Sequence, residues 1–190
     1  MGAHTQSRAL TRTWTAGYPD SKLDTRTRLE NEIATGAYTT PSLITVWLGT
    51  NDAALVNGSS SEMHVPIEEY KDNLSQIVRG FQNAAPDAEI LLISPAHIGE
   101  DARVKAAAER TDAKRGMVDR PNAATGDYAR ACVEVANELN VSVLDLYEHF
   151  NAMPVETQTT MLSDGITLPW RAMKQSTHNS KARSPPISPL

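Results

Sequence analysis

Two short polar segments of the 190-residue chain carry residue types that could act on a substrate. Residues 49–53 (Gly-Thr-Asn-Asp-Ala) follow a short apolar run, and the amide of Asn51 could donate to a developing oxyanion. Gly49 would let the backbone approach a substrate closely. In residues 162–168 (Leu-Ser-Asp-Gly-Ile-Thr-Leu), Asp164 could orient an imidazole that acts as a general base. Both segments also have the composition of ordinary turns, which favour Gly, Asn and Asp.

The elements that must position these segments are indicated by hydrophobic periodicity. One helix, with Pro66 in its first turn, keeps its apolar residues on one face as far as Phe81, and a second runs from about Thr125 to Leu139. Asp101–Arg115 is rich in alanine and charge, which predicts a helical insertion or lid. Apolar runs bounded by turn residues predict buried strands, the first of them buried on both faces: Leu43–Leu48, Ala88–Ser94 and Val141–Leu146.

The order of these elements predicts an α/β fold. Strands joined by single crossover helices form a parallel sheet, and right-handed crossovers then give a three-layer α/β/α sandwich. Ligands of such sheets bind beyond the carboxyl ends of the strands, where both polar segments fall. The domain is expected to occupy residues 41–168, after a weakly patterned segment of residues 1–40. Residues 169–190 are rich in Ser and Pro and are expected to be a disordered tail.

Composition excludes several classes of protein. The 18 Lys and Arg against 23 Asp and Glu give a net charge of −5, which argues against a nucleic-acid partner. The one cysteine, Cys132, excludes an internal disulfide and multi-cysteine metal sites. No stretch approaches the ~20 apolar residues of a membrane span, and no apolar run near the N-terminus could form a signal-peptide core. We therefore expect a cytoplasmic protein with no metal and no cofactor.

Five segments together carry a family resemblance because they match in order and with the right spacing. They are LITVWLGTNDA (43–53), HVPIEEYKDNL (64–74), AEILLISP (88–95), YARACVEVANELNVSVLDL (128–146) and LSDGITL (162–168). Over residues 40–168 the chain resembles the SGNH/GDSL hydrolase superfamily, and within it the isoamyl acetate-hydrolysing esterases.

The resemblance implies a flavodoxin-like parallel sheet that hydrolyses small esters through a Ser-His-Asp triad. Asn51 matches the oxyanion-hole asparagine of the family, and Asp164 matches the acid of its closing Asp-x-x-His motif. The resemblance offers Gly17, in Ala16-Gly17-Tyr18, as a candidate for the glycine whose backbone N–H is another oxyanion donor. The implied partner is a small ester substrate, and nothing in the sequence indicates an oligomeric state.

The chain departs from the family pattern at two places. It contains no Gly-Asp-Ser, the motif whose serine is the family's nucleophile; Ser21, in a Pro-Asp-Ser sequence, is a partial match. Ser21 lies too close in sequence to Asn51 to leave room for the strand, helix and strand that belong between them. Thr167 stands where the closing histidine belongs, and a hydroxyl is no base near neutral pH. We therefore expect a fold that is incomplete at both ends and poor hydrolysis of esters.

The sequence leaves other interpretations open. A non-catalytic family member or a truncated isoform would have a binding role or none. The central segments match the family, whereas both ends of the chain do not. This distribution is typical of an altered exon structure or a shifted reading frame, because neutral drift would scatter changes along the chain. A flavodoxin-like nucleotide binder would need a Gly-rich phosphate loop after a strand, which the sequence lacks.

Overall fold

A three-stranded sheet and the helices around it make up the described part of the chain. The computed structural model describes residues 30–37, 40–162 and 165–166. The strands are β1 (Leu43–Trp47), β2 (Glu89–Ile93) and β3 (Ser142–Leu144). The helices are α1 (Ile67–Ala84), α2 (Glu100–Glu109), α3 (Asn122–Glu138), α4 (Leu146–Asn151) and α5 (Val155–Met161). Residues 30–34 are also helical, and Ser61–Met63 form a short 3-10 helix.

The sheet is parallel, with β2 between β1 and β3. Leu43 pairs with Glu89 and Trp47 with Ile93, which sets β1 fully alongside β2. Ile93 also pairs with Leu144 of β3. The prediction that these three runs are adjacent parallel strands is confirmed.

Helices α1 and α3 lie on the same face of the sheet and pack against each other. Their buried residues share one core with alternate residues of the strands: Tyr70, Leu74 and Val78 of α1, Tyr128, Cys132 and Val135 of α3, and Val46, Ile90 and Leu92 of the sheet. The rings of Tyr70 and Tyr128 meet at 5.2 Å between centroids and 57° between planes. The two helices therefore form one continuous layer.

The expectation that β1 is buried on both faces is wrong. Val46 is buried, whereas Leu43 and Trp47, which alternate with it along the strand, are 52% and 37% exposed. Leu144 of β3 is 43% exposed. The chain crosses from β1 to β2 to β3 in one direction, so two right-handed crossovers place both connecting helices on the same side. An apolar run alone does not reveal this, because it does not say on which face each helix lands.

Local sequence explains where the elements end. Pro66 precedes α1, and Glu68 and Glu69 lie in its first turn, where the helix dipole favours carboxylates. The third strand is shorter than predicted because Asp145 caps α4, its Oδ1 accepting from the backbone N–H of Glu148 at 3.1 Å. A residue that caps a helix leaves the strand, so Leu146 belongs to α4.

The buried thiol of Cys132 allows a test of the core. Cys132 is 1% exposed on α3, and burial raises its pKa to about 12. Because the thiolate is the reactive form, we expect native protein at pH 8 to react with 5,5′-dithiobis(2-nitrobenzoic acid) on the order of 10³-fold more slowly than unfolded protein. The measurement compares thiol release in buffer and in guanidinium chloride. Equal rates in the two solvents would show that α3 does not bury this face.

Candidate active site

The first polar segment forms a closed turn at the carboxyl end of β1. The N–H of Ala53 donates to the carbonyl oxygen of Gly49 at 3.0 Å, and the N–H of Ala54 donates to that of Asn51 at 3.1 Å. The backbone of Asp52 accepts from Val65 N–H at 3.2 Å, which ties the turn to the segment entering α1. The turn therefore has a fixed backbone at the sheet edge where ligands of parallel α/β folds bind.

The conformation and packing of the turn require a glycine at position 49. Its φ is +110°, a conformation that side chains disfavour. A Cβ at this position would lie 2.6 Å from Pro95 Cγ and 2.9 Å from Tyr70 Oη. The sequence suggested that a substrate approaches the backbone of Gly49 closely. In the structure, the side chains of Pro95 and Tyr70 make this close approach. The role of Gly49 in substrate binding remains a prediction.

The carboxamide of Asn51 has a defined orientation. Its Oδ1 lies 2.8 Å from Nη1 of Arg120, which also donates to the carbonyl oxygen of Thr50 at 2.7 Å. A guanidinium can only donate hydrogen bonds, so the Asn51 atom that faces it must be the oxygen. Nδ2 of this half-buried side chain has no hydrogen-bond acceptor among the described residues. Its N–H groups are available to a ligand.

Arg120 belongs to a buried ion-pair network that the sequence analysis missed. Its side chain is 3% exposed, and its Nε lies 3.1 Å from Asp119 Oδ2. Arg103 of α2 donates two hydrogen bonds to the same carboxylate, from Nε to Oδ1 at 3.0 Å and from Nη2 to Oδ2 at 2.7 Å. In the sequence, Asp119 and Arg120 are an ordinary charged pair before Pro121. No spacing rule connects Arg120 with Asn51, which lies 69 positions earlier in the sequence.

The charges of this network support one another. Burial opposes ionisation of Asp119, but the Arg103 hydrogen bonds and the charges of Arg120 and Arg103 outweigh it, so the pKa of this carboxyl lies below its usual value. Burial lowers the pKa of Arg120, against the attraction of Asp119. An arginine nevertheless stays protonated in proteins. The turn is therefore anchored by a buried positive charge.

The lowered pKa of Asp119 predicts an acid-sensitive fold. A carboxyl with a depressed folded-state pKa contributes stability that is present above its unfolded pKa of about 4 and is lost as the pH falls through the folded value. We expect Asp119→Asn to cost about 3 kcal/mol at pH 7, because it breaks a buried pair, and to lose less stability on acidification. Urea titrations at pH 7 and below pH 4 measure both effects.

Asp127→Asn is the matched control for this experiment. Asp127 is an exposed carboxylate paired with Arg130 on α3, so its replacement should leave stability nearly unchanged. A midpoint for Asp119→Asn equal to that of wild type at pH 7 would contradict the network.

The other predicted site residues fall mostly outside the described part of the chain. Asp164 and Gly17 are not among the described residues, so their roles remain predictions. Gly165, beside Asp164 in sequence, accepts a hydrogen bond from Gly99 N–H at 2.9 Å. Gly99 lies in the loop between β2 and α2. In the same loop, the N–H of Ile98 donates to Asn122 Oδ1 at the start of α3. Because α3 begins beyond the carboxyl ends of the strands, Gly165 lies on that side of the sheet.

One histidine lies close to the turn. Nδ1 of His64 lies 2.7 Å from the carbonyl oxygen of Ala54, so it carries the proton and donates it. Within the described residues, no group of three or more His, Cys, Asp or Glu side chains is placed to hold a metal ion.

Comparison with known proteins decides the family. The sequence model of the GDSL-like Lipase/Acylhydrolase family matches residues 3–180. The chain belongs to this family. Its sheet and helices are similar to those of a lipase/acylhydrolase from Enterococcus faecalis, with a TM-score of 0.58 and 19% identity over 88% of this chain and 74% of that one. The α/β class and the SGNH/GDSL hydrolase fold are therefore confirmed.

Curated relatives of this GDSL family chain are esterases by name. A GDSL esterase/lipase of Arabidopsis thaliana is 41% identical over 128 residues, which cover 67% of the chain and 52% of the relative. An isoamyl acetate-hydrolyzing esterase 1 homolog of Bos taurus is 32% identical over 131 residues, 67% of the chain and 49% of the relative. The resemblance to the isoamyl acetate-hydrolysing branch is confirmed. The chain spans about half the length of these relatives.

Among the helices that the structure describes, none is both long and apolar enough to span a bilayer.

Proposed function

We propose that this chain is a GDSL-family carboxylic ester hydrolase of small esters in which Asn51 is an oxyanion donor and Asp164 is the acid of the triad. One observation carries the proposal. The oxygen of the Asn51 carboxamide is held by Arg120, which leaves its N–H groups to a ligand at the carboxyl edge of the sheet. The esterase names of its relatives support the reaction class.

The proposed chemistry is stabilisation of a tetrahedral intermediate. Attack on an ester carbonyl moves negative charge onto its oxygen, and the Nδ2–H of Asn51 donates to that oxygen. One such donor contributes about 3 kcal/mol to the transition state. The backbone N–H of Gly17, the candidate for the family's oxyanion glycine, is the proposed second donor.

We also propose that the 190 residues by themselves are catalytically impaired. The sequence has no Gly-Asp-Ser, and Thr167 stands where the family has its general base. Without a serine nucleophile and a histidine, water must attack the bound ester unaided. A donor worth about 3 kcal/mol accelerates that attack only about 10²-fold, whereas enzymes typically reach at least about 10⁶-fold.

A fluorophosphonate probe tests the missing nucleophile, because it labels an activated serine covalently. We expect no stoichiometric labelling of this chain under conditions that label a full-length GDSL esterase. Stoichiometric labelling that maps to Ser21 and disappears in Ser21→Ala would show that the chain has a nucleophile and would overturn the proposed impairment.

A further inference from the structure

The Asn51 carboxamide can adopt two orientations, related by a rotation of the group that exchanges the positions of Oδ1 and Nδ2. In one, Nδ2 faces a substrate oxyanion and donates to it. In the other, Oδ1 faces the oxyanion and repels it, so an oxyanion donor needs a partner that fixes the amide. Such a partner has to distinguish oxygen from nitrogen.

We propose that Arg120 is this partner, a positioning residue that sets the orientation of the Asn51 amide and thereby its function as a donor. The inference rests on the proposed role of Asn51. Nη1 of Arg120 contacts both the side-chain oxygen of Asn51, at 2.8 Å, and the backbone oxygen of Thr50, at 2.7 Å. A flipped amide would set N–H groups against N–H groups, and neither side could accept a hydrogen bond.

Arg120 is confined by burial and by its ion pair with Asp119 rather than by a hydrogen bond of its Nε, which has none among the described residues. Asp119 lies 3.1 Å from its Nε and is gripped from the other side by the two nitrogens of Arg103. The carbonyl oxygen of Asp119 accepts from Leu55 N–H at 2.8 Å, just beyond the turn. At Gly58 a Cβ would lie 2.8 Å from the carbonyl oxygen of Val118, so the two loops are in direct backbone contact.

The chain of contacts also gives helix α2 a role. Arg103 of α2 is linked to the turn through Asp119 and Arg120. The segment that the sequence predicts to be a helical insertion or lid therefore helps to hold Arg120 in place. A merely structural Arg120 would hold the backbone at Thr50 without affecting the amide of Asn51.

Nuclear magnetic resonance of the ¹⁵N-labelled full chain separates the two roles. The side-chain amide signals of Asn51 are identified by their loss in Asn51→Asp. We expect Arg120→Lys to shift these signals and to speed the exchange between their two protons, because a charged donor to the oxygen strengthens the partial double bond of the amide. Arg110→Lys, which alters a surface ion pair with Asp112, should leave them unchanged. Unshifted Asn51 signals in folded Arg120→Lys would overturn the proposal.

Two nearly isosteric variants keep the proposal testable if Arg120→Lys does not fold. Asn51→Asp keeps an acceptor for Arg120, so its melting temperature should equal or exceed that of wild type. Asn51→Leu removes the acceptor and should melt several degrees lower. Equal melting temperatures for the two variants would overturn the pairing.

Turnover separates failure of the inference from failure of the proposed function. If both hold, p-nitrophenyl butyrate turnover by Arg120→Lys falls to the rate of Asn51→Ala. If the amide signals shift but Asn51→Ala hydrolyses at the wild-type rate, the positioning stands and the oxyanion role of Asn51 is wrong.

Discussion

Replacing Gly49 with alanine is expected to destabilise the protein by about 4 kcal/mol, because two costs add at this position. The φ of +110° strains any side chain, and the new methyl group would meet Pro95 Cγ at 2.6 Å. The ring of Pro95 is buried beside the core and has little room to move. For a chain of this size the cost corresponds to a melting temperature lower by roughly 8–16 °C.

Gly116→Ala is the matched control for this prediction. Gly116 also has a positive φ, of +80°, but a Cβ there would meet no atom within 4 Å. Its replacement should therefore cost only the backbone strain, about 1–2 kcal/mol. Thermal unfolding followed by circular dichroism measures both variants. A similar loss in the two would show that the contact with Pro95 is unimportant.

The chain is expected to hydrolyse p-nitrophenyl butyrate at least about 10⁴-fold more slowly than a full-length GDSL esterase. Loss of one member of a catalytic triad already removes most of the rate, and further losses add little. Here the nucleophile and the base are both without an identifiable residue, so the oxyanion donor is the main remaining contributor. Steady-state turnover of the purified chain, corrected for buffer hydrolysis, measures this difference.

Turnover at ordinary enzyme rates would contradict this prediction. Ser21 and His178 would then be the first pair to replace, as Ser21→Ala and His178→Ala. A loss of activity in both variants would identify them as nucleophile and base.

Much of the fold could be predicted because short apolar runs and helical periodicity are local signals. The strand predicted at Leu43–Leu48 extends beyond β1 only by Leu48. The strand predicted at Ala88–Ser94 extends beyond β2 only by its first and last residues. The helix predicted from Thr125 begins three residues earlier, at Asn122, because the preceding Pro121 is extended and fits the position before a helix. Boundaries of this kind depend on caps rather than on periodicity.

The layer arrangement and the anchoring of the site depended on long-range contacts. Trp47 resembles a core residue in an apolar strand, yet it faces away from α1 and α3 because both crossovers run in one direction. Asn51 was recognisable from its place after a strand, whereas Arg120 was not. The bond between them joins residues far apart in sequence, and a lone arginine in a loop is typical of a solvated surface.

Residual ester hydrolysis by Asn51→Ala tests the central claim most directly, with Asn57→Ala as the control. Asn57 is an exposed asparagine in the same loop, so the two variants remove the same amide group from neighbouring positions. If Asn51 is the oxyanion donor, the protein-dependent hydrolysis of p-nitrophenyl butyrate falls about 10²-fold in Asn51→Ala and is unchanged in Asn57→Ala. Equal rates in wild type and Asn51→Ala would contradict the account and favour a non-catalytic member of the family.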